Sequence, residues 1–274
     1  MAQDPVCEWN QAPADPGGRR RWAPGLSCRE IRSRPLPGLG RDWPARWALR
    51  AILRLFRGFL ADVEGAEHIA PGRDPFILAL NHNQRLEAVL VPVYMIYVRQ
   101  GRKIHFLSDW NFQLIPGLAF VLRHAEVITL VQKPARPQFL NVLKARFHDP
   151  VPAFKRAQIK LAQGASVGVF PEGTVNRDPQ RLLRGHLGTA RLSVTTGIPV
   201  VPAGIRFPDH PPDRPIPDWT RMTVRIGPPI SPRAADPRPP MTEVRDWHAR
   251  IMGELARLSG KSWSPSSPHQ HDDS

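Results

Sequence analysis

The stretch Asn81-His82-Asn83-Gln84-Arg85-Leu86-Glu87 places a base and a carboxylate five residues apart, directly after an apolar run at 76–80. That run reads as a buried strand. Residues 88–98, apolar and long enough for a helix, follow it, so the histidine belongs in the turn between the two. On one continuous helix five residues amount to about 140° of rotation, which would point the two side chains apart. His82 is therefore expected before the helix and Glu87 in its first turns, where a carboxylate also suits the positive end of the helix dipole. In that arrangement Glu87 can hold one imidazole nitrogen and leave the other as a base. The alternative is a loop histidine that makes a backbone hydrogen bond. A second group, Phe170-Pro171-Glu172-Gly173-Thr174, follows another apolar strand at 167–170. It too would stand at a strand's C-terminal end, where open α/β sheets build their sites.

Together the two groups resemble the signature of the glycerolipid acyltransferase family typified by 1-acylglycerol-3-phosphate acyltransferase: Asn-His, four residues, Asp, and further on Phe-Pro-Glu-Gly-Thr. The similarity runs from about residue 63 to 230 and includes Ile198-Pro199-Val200-Val201-Pro202, which looks like the family's last block. Glu87 stands where the family usually has Asp, and Val175-Asn176 stand where Arg-Ser often follows the Thr. The resemblance implies an O-acyltransferase that moves a fatty acyl group from acyl-CoA or acyl carrier protein to the hydroxyl of a lysophospholipid or related lipid acceptor. His82 would take the hydroxyl proton, and Glu87 would orient the imidazole and stabilise its cationic form. Glu172, Gly173 and Thr174 would bind the acceptor. The family usually places an acceptor-binding Arg near the end of the preceding strand; here Leu130 or Lys133 falls there, leaving Lys133, Arg177 or Arg184 for an acceptor phosphate. A relative that kept the fold and binds lipid without turnover is the alternative.

Gly164-Ala165-Ser166-Val167-Gly168 matches the Gly-x-Ser-x-Gly elbow of serine hydrolases. That elbow needs a strand before the serine and a helix after it. Here a predicted helix at 153–163 ends at Gly164 and Ser166 opens a strand, so Gly164 reads as a helix C-cap and Ser166 as structural. No metal cluster or dinucleotide motif is visible, so no cofactor beyond the acyl carrier is implied.

Around these motifs, strands are expected at 62–68, 103–108, 126–131, 198–205 and 221–226, and helices at 118–122, 183–196 and 242–258. The alternation predicts an α/β fold: a mostly parallel central sheet flanked by helices, with an N-terminal amphipathic helix. In that helix, within 43–61, Arg46, Arg50, Arg54 and Arg57 share one face and Ala48, Leu49, Ile52, Leu55 and Phe56 another, with Trp43 and Trp47 at its start. A basic helix with an aromatic and aliphatic underside is what a membrane interface selects, while packing on its own domain would account for the same pattern. Residues 1–42 read as a disordered Pro/Gly/Arg-rich leader, 62–258 as the acyltransferase domain and 259–274 as a disordered polar tail.

The chain's 274 residues suit one sizeable core, and its 32 prolines crowd the two ends and the stretch from 208 to 240. A formal charge of +14 asks for an anionic partner or a reason. No basic region is interleaved with aromatics and no zinc-finger spacing occurs, so an anionic membrane surface is expected and nucleic acid is not. The two cysteines, Cys7 and Cys28, lack Cys-x-x-Cys spacing and carry no assigned chemistry. With no secretory signal and no run long enough to span a bilayer, the expected location is cytoplasmic and peripheral, on the inner face of the membrane.

Overall fold

The computed structural model describes residues 23–131, 134, 138–147 and 149–266. Seven strands form one sheet: β1 (Leu60–Glu64), β2 (Ile77–Leu80), β3 (Ile104–Asp109), β4 (Ile128–Leu130), β5 (Ser166–Val169), β6 (Val200–Arg206) and β7 (Met222–Ile226). Their order across the sheet is β1-β7-β6-β2-β5-β3-β4. Every neighbouring pair is parallel except β6 and β7, so β1 and β7 run against the other five. The sheet is therefore the mostly parallel one that the strand and helix alternation predicts.

Both faces of the sheet are covered, which is why its central strands read as unbroken apolar runs. Successive side chains alternate between faces. Leu78 and Leu80 join the layer built by α1 (Cys28–Ser33), α2 (Trp43–Phe56) and α3 (Glu87–Val98), which includes Leu53, Tyr94 and Val201. Ile77 and Ala79 join the opposite layer with Ala157, Ala190 and Leu255, supplied by α5 (Ala153–Ala162), α6 (Gly188–Thr196) and α7 (Met241–Ser259). A shorter helix, α4 (Pro116–His124), packs against α2.

Two features of this frame position the site. Ala79 of β2 pairs with Val169 of β5, so the segments that leave these strands, 81–87 and 170–177, emerge side by side. Near the end of β6, Ile205 exchanges backbone hydrogen bonds with the side chain of Asn81, at 2.7 and 3.1 Å, and so fixes the start of the His82 loop.

The expected leader does not hold over 23–42. Ala23, Leu26 and Ile31 are fully buried, and α1 opens on a capping box in which Ser27 and Glu30 bond each other's backbone N–H. Tyr94 and Tyr97 of α3 donate their hydroxyls to Pro24 O and Gly25 O at 3.0 and 2.8 Å. A few apolar residues spaced among prolines and arginines suffice to fill a groove, although the composition around them resembles that of an unfolded chain. Residues 1–22 lie outside the described part.

The same packing corrects the reading of α2. Three of the four arginines expected on one face turn toward the chain's own segment 26–40: Arg50 donates to Ile31 O and Arg34 O, Arg57, just past the helix, to Leu26 O and Arg46 to Gly40 O. Ala45, Ala48, Leu49 and Leu53 face the core. What α2 leaves to solvent is Trp43, Trp47 and Leu55, exposed by 73%, 66% and 74%, together with Arg54. The polar tail is corrected over 259–266, where Ser259 and Lys261 are buried and Ser262 exchanges backbone hydrogen bonds with Gln180 and Leu182 at 2.8 and 2.9 Å. Residues 267–274 lie outside the described part.

Candidate active site

His82 sits in the turn between β2 and α3, and Glu87 is the first residue of α3. Glu87 Oε1 accepts from His82 Nδ1 at 2.9 Å, with the carboxylate fully buried and the imidazole side chain 10% exposed. An ionised carboxylate only accepts, so the proton stands on Nδ1 and the lone pair on Nε2. Nε2 has no hydrogen-bond partner among the described residues. The ring is seated on Phe170, centroids 4.7 Å apart and planes tilted by 35°. Asn83 secures the other side of the pair: its backbone N–H donates to Glu87 Oε1 and its side-chain amide lies 3.3 Å from Oε2. The backbone-bonded loop histidine is thereby set aside, since the imidazole engages a carboxylate.

Glu172 is placed differently from its expected role. Its buried carboxylate accepts from the backbone N–H of His82 at 3.1 Å, from Asn176 Nδ2 at 2.7 Å and from the backbone N–H of Leu183 at 2.8 Å. Burial pushes its carboxyl upward, opposed by the donors from Leu183, His82 and Asn176 and by the charge of Lys261. Both oxygens act as acceptors. Glu172 thus ties the two motifs together and offers no free edge to an acceptor. Asn176, in a position where the family often has Ser, completes the tie by donating its backbone N–H to His82 O at 2.7 Å.

Gly173 adopts φ of +70°, in the left-handed region that favours glycine. A Cβ there would come within 2.6 Å of the His186 ring, so the close approach that the small residue allows is made by His186. Thr174 beside it is half-buried, and its hydroxyl makes no hydrogen bond among the described residues. Arg177 reaches the rim of the site, but its guanidinium is engaged with Ile216 O at 2.6 Å and Asp218 Oδ2 at 2.8 Å. Asp218 also accepts from the backbone N–H of Arg85 at 2.9 Å, which fastens the loop 207–221 to the His82 loop. Gln84 adds a reciprocal pair with Thr220, at 2.7 and 3.1 Å. Lys133 lies outside the described residues.

Ser166 is at the other end of the sheet, fully buried, with its hydroxyl on Asp74 and accepting from Phe76 N–H at 3.1 Å. A buried, doubly bonded hydroxyl at a strand's N-terminal end has no access to substrate, and the hydrolase reading ends there. Among the described residues no group of three or more His, Cys, Asp or Glu is arranged to hold a metal.

The sequence motifs named His82, Glu87 and Glu172. They did not single out Asn81, Asn83, Asn176 or Lys261 as supports. For the asparagines a signal was present, since polar residues packed between apolar runs must find partners. For Lys261, in what read as a polar tail, there was none.

Comparison with known proteins agrees with this arrangement. The chain is 27% identical over 154 residues to the chloroplastic 1-acyl-sn-glycerol-3-phosphate acyltransferases of Brassica napus and Arabidopsis thaliana, over 56% of its own length. It spans only 39% and 38% of those relatives. Its fold matches the crystal structure of the 1-acyl-sn-glycerophosphate acyltransferase PlsC from Thermotoga maritima, with a TM-score of 0.53, 23% identity, and coverage of 80% of this chain and 81% of that one. The sequence profile described as Acyltransferase matches residues 61–206, a stretch that holds both the His82 loop and the Glu172 turn. With the dyad, the tie between the motifs and the strands β2 and β5 that carry them all inside that match, the chain belongs to the acyltransferase family.

Proposed function

We propose that this protein transfers a fatty acyl group from the thioester of acyl-CoA or acyl carrier protein to the hydroxyl of a lysophospholipid or related lipid alcohol, with His82 as the general base. The observation that carries the reading is the buried His82–Glu87 pair, whose geometry leaves Nε2 without a partner among the described residues. Nε2 takes the acceptor's hydroxyl proton as the oxygen attacks the thioester carbonyl, and Glu87 stabilises the imidazolium that forms. When the tetrahedral intermediate collapses, the C–S bond breaks and the leaving thiolate recovers the proton from Nε2. The thioester is already activated, so no acyl-enzyme is required; Cys28 lies on α1, away from the dyad loop in sequence and exposed.

A membrane surface supplies such an acceptor, and α2 is placed to meet one. Its exposed Trp43, Trp47 and Leu55 lead toward Phe56 and Phe59, which pack on Trp219 with centroids 5.7 and 5.8 Å apart. Trp219 lies between Asp218 and Thr220, the two residues that hold the His82 loop. No helix among the described residues is long and apolar enough to cross a membrane, and the attachment we propose is peripheral, on the cytoplasmic face.

The acceptor's head is the finer question. The relatives are named for 1-acyl-sn-glycerol-3-phosphate, whose phosphomonoester is best held by an arginine fork. Here Arg177 has its fork filled by Ile216 and Asp218, and Val175 stands where the family often has Arg. We therefore expect poor turnover of lysophosphatidic acid relative to acceptors whose phosphate is masked. Wild-type kinetics with an acyl-CoA and a panel of lysolipids test both statements. No transfer to any acceptor would refute the activity; efficient use of lysophosphatidic acid that collapses in Arg177→Ala would refute the expectation about the head and make Arg177 the phosphate ligand.

A further inference from the structure

Lys261 lies beyond the residues that the family profile matches, yet its side chain is buried in the site. Three features deliver it there. Gly204 of β6 leaves room for the last turn of α7, since a Cβ at that position would lie 2.2 Å from the Leu258 carbonyl carbon and Ser259 N. Arg206 then holds that turn by donating to Leu258 O at 2.5 Å and Arg257 O at 2.9 Å. Gly260, at φ of +73°, ends the helix and turns the chain inward.

Once inside, Nζ of Lys261 donates to Asn83 Oδ1 and, at 2.5 Å, to Asp178 O. Asn83 in turn donates to Glu87, which holds His82. A chain of direct hydrogen bonds therefore runs from the end of α7 to the base. The charges make a second connection. Two buried carboxylates meet the same histidine, Glu87 at its ring and Glu172 at its backbone N–H, and a cation that interacts with both favours their ionised forms. If Glu87 were the one to take up a proton, it would donate to Nδ1 and leave the proton on Nε2, and the base would be lost.

We propose that Lys261 is a positioning residue for acyl transfer: its ammonium orients Asn83 against Glu87 and keeps Glu87 and Glu172 ionised together, so that His82 presents an unprotonated Nε2. The burial that lowers the ammonium's own proton affinity is opposed by Glu172, Glu87 and Asp178. The kinetic part of this proposal rests on the acyltransferase reading; the electrostatic part does not.

The charged groups that face Lys261 are Glu87 from α3, and Glu172 and Asp178 from the segment after β5. Removing the ammonium raises the proton affinity of these carboxylates and relieves repulsion of the imidazolium, and both effects have the same sign. In Lys261→Met we expect kcat to fall by about tenfold or more, the order of loss seen when an outer partner that orients a working group is removed, with KM for either substrate little changed. The acid limb of the kcat profile should move to higher pH. Lys261→Gln, which keeps a donor to Asn83 without the charge, should show the same displacement if the Met variant does not fold. Lys261→Arg should recover part of kcat and return the limb toward the wild-type position.

Independently of turnover, NMR titration of the His82 ring in the full chain reads the pH at which the His82–Glu87 pair takes up its proton. That midpoint should rise by about half a unit or more in Lys261→Gln. An unmoved NMR midpoint would overturn the proposal, as would an unmoved acid limb with wild-type kcat in a variant that is merely less stable. If wild type transfers no acyl group at all, the activity reading fails and the NMR midpoint alone decides this one.

Discussion

At the scale of single residues, the site holds a glutamate where the family usually has the shorter aspartate. Its additional methylene adds roughly 1.5 Å of reach, and Glu87 uses it to touch both His82 Nδ1 and the Asn83 backbone from the first position of α3. Glu87→Gln removes the charge that stabilises the imidazolium, and we expect kcat to fall by about 10²-fold. Glu87→Asp keeps the charge and shortens the reach, so it should retain part of the activity. A Gln variant as fast as wild type would reduce Glu87 to a helix-start carboxylate. His82 and Glu87 were legible in the sequence because a strand before and a helix after bring them to one turn, where the pair competed only with a loop histidine bonded to backbone. Glu172 was legible as a site residue but not in its role, since the backbone donors that claim it come from His82 and Leu183 and leave no trace in side-chain type.

Among the elements, strands were easier to read than helix boundaries. The helix expected over 183–196 starts only at Gly188, because Leu183 N–H is drawn to Glu172, His186 N–H to Pro171 O at 2.8 Å, and Gly185 takes φ of +77°. The ordered segment 23–42 was missed because its partners lie on α2 and α3, and a window of local composition does not contain them. A different contact ties the far edge of the sheet. Glu126, in the turn between α4 and β4, holds Lys103 at 2.8 Å and Lys160 of α5 at 3.1 Å. The hydrogen bond from Lys103 draws its carboxyl down to about 2, against a burial cost and with help from Lys160. A depressed carboxyl contributes stability above its unfolded value of 4.5 and loses it as pH falls toward 2. Urea unfolding of Glu126→Gln should therefore show a deficit at pH 7 that shrinks below pH 4.5; a deficit that persists unchanged to pH 2.5 would mean the loss is one of packing.

Over the whole molecule, we expect the packing of α2 to set how the protein meets lipid. Arg46 and Arg50 are tied to the segment 26–40 while Arg54 stays exposed, so we expect partition to rest mainly on the apolar residues of the exposed stripe. Replacing Trp43, Trp47 and Leu55 by serine should weaken vesicle binding by at least about tenfold while thermal unfolding is little changed. Binding retained by the triple variant but abolished by salt would return the contact to the basic residues. The central claim is that His82 is the base of an acyl transfer, and it is tested most directly by full-length wild type and His82→Ala, each given a radiolabelled acyl-CoA and lysophospholipid vesicles. Wild type should form labelled diacyl product, and His82→Ala, with an unaltered unfolding midpoint, should form it at least about 10²-fold more slowly. Near-normal turnover in the folded His82→Ala protein would contradict it.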